Sequence, residues 1–192
     1  MYLSKRGTCV KQYCWSVCDC MKKLIFICGA SGIGKSTICV NLNKALSYSA
    51  LVDSDHCRMM NPFTFSDEQK SIVEDNMTTM LSNYLKCSTI ESVIFHYGFH
   101  GPRKQIFDNI ISRLSGLNIQ FQIVPIILEC ELEENIRRAR KDGRDENRIK
   151  YGLENSRELY SQYDYPRLDI TKLSVDEATN KLINMIDELY NH

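Results

Sequence analysis

Eight consecutive residues carry the most specific chemistry in this chain, because they can wrap a polyphosphate in backbone N–H groups. They match the pattern G-x-x-x-x-G-K-[ST] in full. The glycines allow backbone dihedrals that other residues resist. Lys35 would place an ammonium on the terminal phosphates, and the Ser36 hydroxyl is the expected Mg²⁺ ligand. We expect nucleotide contacts along the whole stretch: Gly29, Ala30, Ser31, Gly32, Ile33, Gly34, Lys35, Ser36 and Thr37.

The sequence on either side of this loop fits the same interpretation. The apolar run at 24–28 is typical of a buried parallel strand. Apolar residues at helical spacing follow between 37 and 46. The alternative is an ordinary glycine-rich turn, but strand, loop and helix in this order are the context that the motif requires. The pattern therefore predicts binding of a nucleoside triphosphate with Mg²⁺.

Two carboxylates, Asp53 and Asp55, follow the next short apolar strand. Ligands of open parallel sheets bind beyond the carboxyl ends of the strands, so these side chains should lie near the phosphates. Asp55 could accept a proton from a substrate hydroxyl or hold Mg²⁺ through water. Asp53 is the weaker candidate and could only support the turn, as ordinary turn aspartates do. In a helical turn, Arg58 would share a side with Asp55 and help to orient an acceptor.

His96, His100 and Arg103 surround the end of a third apolar strand at 92–97. As a group they indicate the rim of an acceptor pocket with aromatic walls, although each histidine alone is explained slightly better by a structural role. This strand end has no carboxylate, unlike the strand that supplies a second Mg²⁺ ligand in many switch-type ATPases. That difference argues against a regulatory ATPase.

The stretch at about 137–150 holds seven basic and three acidic residues around an Asp142-Gly143 turn. One interpretation is a solvated charged face that pairs with nearby glutamates. The other, which we favour, is a mobile lid whose arginines grip phosphate oxygens or stack on a base. The candidates for this work are Arg137, Arg140, Arg144 and Arg148.

Strand-like and helix-like patterns alternate along the chain, which predicts an α/β fold with a parallel sheet covered on both faces. The length of 192 residues and the 43% hydrophobic content suit one domain, which we expect over residues 21–192. Capping-box patterns predict helix starts after Ser66 and Ser174. A later charged helix is expected to bury an apolar stripe of Leu132, Ile136 and Ala139.

Nine unevenly spaced cysteines, four of them in the first twenty residues, indicate a reduced protein rather than a disulfide scaffold. Residues 1–20 lack a signal-peptide pattern and a regular period, so we expect a disordered extension there. A zinc site in that segment is the alternative, although its cysteines lack the paired C-x-x-C spacing of common zinc sites. No segment approaches membrane-spanning length, and we expect a cytoplasmic protein without a membrane partner.

With the glycine loop, Asp55 and the arginine-rich stretch in place, the chain resembles the P-loop small-molecule kinases. This group includes shikimate, gluconate and nucleoside monophosphate kinases and chloramphenicol phosphotransferase, and the resemblance covers residues 22–190. It implies a five-stranded parallel sheet of order 2-3-1-4-5 with ATP as the donor. It also implies catalytic roles for Lys35, Asp55, Arg140 and Arg144, with Arg137 on the nucleotide, and an adenine-bordering loop at 170–174.

The resemblance leaves the phosphoryl acceptor open. A small molecule is favoured, with a hydroxyl somewhat preferred over a phosphate: a nucleoside or nucleotide, a sugar acid or an antibiotic. A nucleotide-dependent switch is one alternative. Another is a polynucleotide 5′-hydroxyl kinase, whose acid-x-x-arginine arrangement Asp55 and Arg58 resemble. The formal net charge of zero weakens that alternative, since nucleic-acid binding usually needs a basic surface. Monomer and homodimer are both compatible with the sequence.

Overall fold

The alternating apolar and amphipathic segments form a five-stranded parallel sheet with helices on both faces. The computed structural model describes residues 21–99, 101 and 103–190. The expectations for residues 1–20, and the one for His100, lie outside this range. No helix within the described range is both long and apolar enough to cross a membrane.

The elements are β1 (Lys22–Gly29), α1 (Lys35–Ala45), β2 (Ser49–Asp53), a 3₁₀ turn (His56–Arg58), α2 (Asp67–Lys86), β3 (Ser92–His96), α3 (Arg103–Ser115), β4 (Phe121–Glu129), α4 (Leu132–Lys141), α5 (Glu146–Ser161), β5 (Arg167–Asp169) and α6 (Val175–Tyr190).

The strand order is β2-β3-β1-β4-β5, which confirms the predicted order. In the register of β1, Ile25 lies beside Ile94 of β3 on one side and Val124 of β4 on the other. β3 is buried along its whole length, and β1 is buried from Leu24 onwards, as continuous apolar strands of a covered parallel sheet should be. Because all strands are parallel, the carboxyl ends of β1, β2 and β3 meet at one edge of the sheet.

Alternate residues of β1 point to two separate apolar cores. On one face, Phe26 packs against Phe107 of α3, with ring centroids 4.4 Å apart. On the other face, Ile25 belongs to the same cluster as Leu42 of α1 and Leu182 of α6. The period of two along a strand places these side chains on opposite faces. The central strand is therefore held on both sides, which fixes the position of the loop that follows it.

The helix starts follow the capping patterns. Ser66 Oγ accepts a hydrogen bond from the Gln69 N–H at the start of α2. Ser174 and Glu177 form a reciprocal pair at the start of α6, in which Glu177 Oε2 accepts from the Ser174 N–H and Ser174 Oγ accepts from the Glu177 N–H. Both predicted helix starts are therefore confirmed.

The region after β4 differs from the sequence expectation in two respects. The prediction that the apolar stripe of α4 is buried is wrong at Leu132, which is 49% exposed, while the polar Asn135 is fully buried. The chain also continues into a second helix, α5, after a turn in which Gly143 has a φ of +72°. The basic stretch is therefore two helices joined at a tight turn. Ala139 and Ile136 of the first helix pack against Ile149 and Leu153 of the second, and polar contacts hold the first helix to the phosphate loop.

Gly29 is the position where the backbone geometry leaves no room for a side chain. Its φ is +143°, and a Cβ there would lie 2.4 Å from the carbonyl oxygen of Leu128 on β4. Gly34 shares the left-handed backbone, with φ +105°, but a Cβ at Gly34 would meet nothing within 4 Å. Substitutions at these two glycines can therefore distinguish the cost of backbone strain from the cost of a steric clash.

We expect Gly29→Ala to lower the free energy of unfolding by roughly 2–4 kcal/mol, since it adds a backbone clash to conformational strain. Gly34→Ala should cost about 1–2 kcal/mol from strain alone. Gly116→Ala, where a Cβ would make ordinary contacts from 3.5 Å, serves as the control. Urea denaturation of the three variants measures the difference. Equal losses for Gly29→Ala and Gly34→Ala would contradict the clash.

Candidate nucleotide and acceptor site

The phosphate-binding loop lies at the sheet edge between β1 and α1. Gly32 and Gly34 have φ angles of +76° and +105° there, a conformation that glycine adopts without strain. A Cβ at Gly32 would come within 2.9 Å of Ala139 Cβ on α4. The first turn of α1 carries no acidic side chain. Its free N–H groups and the helix dipole therefore favour an anion at this point.

Lys35 lies on the inner side of the loop, where its ammonium donates to two loop carbonyl oxygens. Nζ is 2.9 Å from the Gly29 oxygen and 2.8 Å from the Ala30 oxygen. Burial lowers the pKa of Lys35 to about 8, and the nearby Arg144 charge acts in the same direction. An anion in the loop would favour the charged ammonium, so this lysine is suited to phosphate binding.

Ser31 connects the loop to both helices of the basic region. Its carbonyl oxygen accepts from Asn135 Nδ2 at 3.0 Å, and its N–H donates to Ser156 Oγ at 3.4 Å. Ser31 Oγ accepts from Arg144 Nη1 at 2.5 Å. Asn135 Oδ1 is buried without a hydrogen-bond partner among the described residues. Sequence reasoning missed Asn135 and Ser156, because a lone polar residue on a helix gives no periodic signal.

The arginines of the basic region divide into two groups, according to whether they line the cleft into which the phosphate loop opens. Arg137 and Arg140 do not line the cleft, because each is held in a two-pronged, exposed ion pair, with Glu134 and Glu146 respectively. Arg144 and Arg148 do line it. The structure therefore brings Arg144 to the phosphate loop and leaves Arg137 and Arg140 on the outer surface.

A further arginine, which the sequence did not single out, connects three parts of the fold. Arg138 donates to the carbonyl oxygens of Ile33 at 3.1 Å and Ile170 at 2.7 Å, and pairs with Glu134 at 2.6 Å. It thereby holds α4 against the phosphate loop and against the segment at 170–174 that was expected to border the adenine. Arg138 is a positioning residue rather than a member of the cleft.

The loop opens into a cleft of about 880 Å³ that extends across the carboxyl ends of β1, β2 and β3. Asp55 lies on the wall opposite the loop, and its side chain is 59% exposed. Its Oδ1 pairs with Arg58 Nη2 at 2.6 Å within the 3₁₀ turn. Asp55 and Arg58 thus share one side of a turn, as their spacing indicated. The cleft is lined by Ser31, Gly32, Gly34, Lys35, Ser36, Thr37, Ser54, Asp55, Arg58, Phe65, Lys70, His96, Tyr97, Gly98, Gly101, Arg103, Asp142, Gly143, Arg144, Arg148, Tyr151 and Gly152.

Asp53 and His96 form a buried pair beneath Asp55. His96, only 3% exposed, places Nε2 3.2 Å from Asp53 Oδ1, in a contact that is not aligned as a hydrogen bond. Burial alone would raise the pKa of Asp53, but the His96 side chain and the Asp55 N–H outweigh it and lower this pKa to about 2. Asp53 Oδ1 also accepts from the Asp55 N–H at 2.8 Å. Asp53 therefore supports the turn that presents Asp55, and His96 lines the cleft.

The metal-binding potential of the site lies in Ser36 and Asp55, which both line the cleft. The described residues contain no group of three His, Cys, Asp or Glu side chains that could hold a metal ion by themselves. This donor set fits Mg²⁺, which is usually held by one or two protein oxygens together with phosphates and water. A metal here would therefore arrive with the nucleotide.

Comparisons with known proteins agree with this architecture. A family described as "AAA domain" matches residues 25–162, well over half of the chain. No curated protein sequence matches the chain. Among solved structures, a gluconokinase from Sinorhizobium meliloti 1021 aligns with a TM-score of 0.62 at 13% identity, over 89% of this chain and 95% of that one.

Two further structures extend the similarity. The Deinococcus radiodurans tunicamycin resistance protein has a TM-score of 0.66 at 14% identity, over 86% of this chain and 95% of its own. The APS kinase CysC from Mycobacterium tuberculosis, in complex with AMPPNP and APS, has a TM-score of 0.58 at 13% identity, over 87% and 98%. The phosphate loop, the strand order and the family match lead to one assignment: the chain belongs to the AAA domain family and has the fold of the P-loop small-molecule kinases.

Proposed function

We propose that this protein transfers the γ-phosphate of ATP to a hydroxyl group of a small-molecule acceptor. The proposal depends on one feature of the cleft, which places the phosphate loop on one wall and a carboxylate beside an arginine on the other. Phosphoryl transfer needs charge neutralisation, an oriented nucleophile and exclusion of water. The two walls supply the first two requirements.

On the nucleotide side, the loop N–H groups and Lys35 would hold the β- and γ-phosphates. Lys35 would exchange its loop carbonyl contacts for phosphate oxygens. Arg144 would likewise leave Ser31 Oγ and meet the charge that develops on the transferring group. Ser36 and the phosphates would hold Mg²⁺, which would supply positive charge against the phosphate oxygens. Holding Mg²⁺ through water is the alternative to the role of Asp55 as base.

On the acceptor side, Asp55 would orient a hydroxyl and accept its proton. Arg58 engages Oδ1 of this carboxylate, so Oδ2 can face the acceptor. The exposed position of Asp55 permits access from the cleft, and the contact with Asp53 fixes its backbone. A general base in this position contributes about 10²–10⁴-fold to the rate.

The end of β3 supports transfer to an acceptor over a nucleotide-dependent switch. β3 pairs with β1, and its last residue is the buried His96 rather than a carboxylate that could hold Mg²⁺. A switch also needs no second wall with its own charged groups.

We place the reaction in the cytoplasm, where Mg²⁺ and ATP are available and free thiols such as Cys28 and Cys39 stay reduced.

The direct test is ADP release from Mg²⁺-ATP with pooled acceptors. The pools would contain nucleosides, nucleotides, sugar acids, hydroxylated antibiotics including aminoglycosides, and a 5′-hydroxyl oligonucleotide. We expect one pool to raise ADP release well above the acceptor-free rate, and Lys35→Ala to remove the increase. A flat response from every pool, with ATP bound tightly, would favour the switch instead.

Asp55→Asn should lower kcat with the identified acceptor by about 10²–10⁴-fold, because the amide cannot accept the proton. Asp75→Asn is a matched control. Asp75 pairs with Arg113 at the same 2.6 Å, and its side chain has the same 59% exposure, but it lies on the outer side of α2. Steady-state kinetics of both variants decide the role, and an equal kcat for Asp55→Asn and wild type would exclude general-base catalysis by Asp55.

Arg144→Ala should lower kcat by about 10²–10³-fold, the loss expected when a donor to the transition state is removed. Arg140→Ala should stay within about threefold of wild type, since Arg140 forms an exposed ion pair with Glu146. The comparison also tests the earlier expectation that Arg140 is catalytic. If Arg140→Ala caused the larger loss of kcat, α4 would have to turn inward on nucleotide binding, and the assignment to Arg144 would be wrong.

A further inference from the structure

The acceptor side of the cleft continues into a small cavity of about 20 Å³ behind it. Six residues line both spaces, and we call them the acceptor pocket: Ser54, Arg58, Phe65, Lys70, Tyr97 and Arg103. They come from the positions just after β2 and β3, from the 3₁₀ turn, and from the starts of α2 and α3. This pocket is on the Asp55 side of the cleft, away from the α4–α5 turn that carries Arg144.

The acceptor pocket holds three cations, which is more positive charge than its surroundings balance. Arg58 is paired with Asp55, and Lys70 with Asp67, whose side chain is 99% exposed. Arg103 has no carboxylate within ion-pair distance among the described residues, and its guanidinium lies 5.9 Å from the Phe65 ring. Burial lowers the pKa of Arg103, and the Arg58 charge lowers it further. The pocket therefore holds three half-buried cations, of which two have a carboxylate partner and Arg103 has none among the described residues.

The nucleotide does not account for this charge. ATP with Mg²⁺ carries about two net negative charges, and the loop side of the cleft already offers Lys35, Arg144 and Arg148 to it. Arg58, Lys70 and Arg103 lie across the cleft from that loop, around the proposed base. The unpaired charge of Arg103, next to that of Arg58, favours a second anion here, since like charges near one another disfavour the charged state of each.

Two further side chains define what accompanies the anion. Tyr97 is buried, and burial raises its pKa to about 12, so its hydroxyl stays a hydrogen-bond donor. Phe65 is 42% exposed and packs on Phe63 with ring centroids 4.5 Å apart. An exposed aromatic face beside a cationic group suits a ligand that has an apolar or planar part next to its charge.

We infer that the acceptor is an anionic small molecule, whose phosphate, sulfate or carboxylate group binds to Arg58, Lys70 and Arg103 while its hydroxyl faces Asp55. The inference rests on the proposed function for the hydroxyl and goes beyond it in naming the anion. Arg103 contributes most to binding because no carboxylate shares its charge. Neutral and cationic acceptors, such as unmodified nucleosides and aminoglycosides, should bind less well because they leave the Arg103 charge unpaired.

Sulfate binding tests the pocket independently of any reaction. The full chain is first saturated with Mg²⁺-AMPPNP, so that the phosphate loop is occupied, and sodium sulfate is then titrated by calorimetry against sodium chloride of equal ionic strength. We expect saturable sulfate binding that is weakened at least about tenfold in Arg103→Gln. Arg113→Gln, on the same helix but paired outside the cleft with Asp75, should bind sulfate as wild type does.

Sulfate binding no stronger than chloride binding, or equal binding by Arg103→Gln and wild type, would overturn the inference. Lys70→Gln provides a second variant, with a smaller expected loss, should Arg103→Gln fail to fold. Titrations with phosphate and acetate then distinguish a tetrahedral anion from a carboxylate. Failure of Mg²⁺-AMPPNP to bind would count against the proposed function, and the acceptor pocket would then be judged by the difference in sulfate binding between Arg103→Gln and Arg113→Gln.

A split of the acceptor pools by charge provides the functional arm. ADP release should rise only with hydroxylated anions, and Arg103→Gln should raise KM for the active anion at least about tenfold while changing kcat less. A neutral acceptor that is used equally well by wild type and Arg103→Gln would support the kinase and overturn the anionic acceptor.

Discussion

An imbalance of charge in one cleft is the constraint on which the rest of the site depends. The chain has a formal net charge of zero, yet the described lining of the cleft carries six basic side chains and two acidic ones. The pKa values of Lys35 and Arg103 are both lowered, first by burial and then by a neighbouring arginine. Such repulsion makes the empty site less stable and makes anionic ligands bind better. The apolar cores on both faces of β1 provide the free energy that holds these charges together.

Rigidity at the loop follows from how Ser31 is held. Its carbonyl oxygen, N–H and hydroxyl each meet a different residue of α4, α5 or the turn between them. The helices beside the loop are therefore fixed to it by half-buried hydrogen bonds. Among the described residues, the turn bearing Arg144 is hydrogen-bonded to the loop through the Arg144 side chain. A closing motion would thus require Arg144 to exchange the Ser31 hydroxyl for a phosphate oxygen, which is a smaller change than moving either helix.

The parts of the fold that sequence predicted are those specified by local patterns. Continuous apolar runs indicated the buried strands, the glycine loop indicated the connection from β1 to α1, and the serine caps indicated the starts of α2 and α6. Three-dimensional partners were not predictable in the same way. Arg137, Arg140, Arg144 and Arg148 have similar spacing in sequence, but in the fold Glu134 and Glu146 hold the first two outside the cleft in ion pairs. Likewise, Asn135 is buried because Ser31 accepts its hydrogen bond, which no periodicity reveals.

The pair of His96 and Asp53 shows how a buried contact determines the geometry of an exposed catalytic candidate. The imidazole lies at the end of β3, and its contact with Asp53 joins that strand to the end of β2. Because His96 and the Asp55 N–H outweigh the desolvation of Asp53, this carboxylate stays ionised and keeps accepting from the Asp55 backbone. The turn then presents Asp55 and Arg58 to the cleft as a pair. A carboxylate in place of His96 would repel Asp53 and loosen this turn. His96 therefore has two effects: it leaves the end of β3 without a carboxylate for Mg²⁺, and it stabilises the turn on the acceptor side.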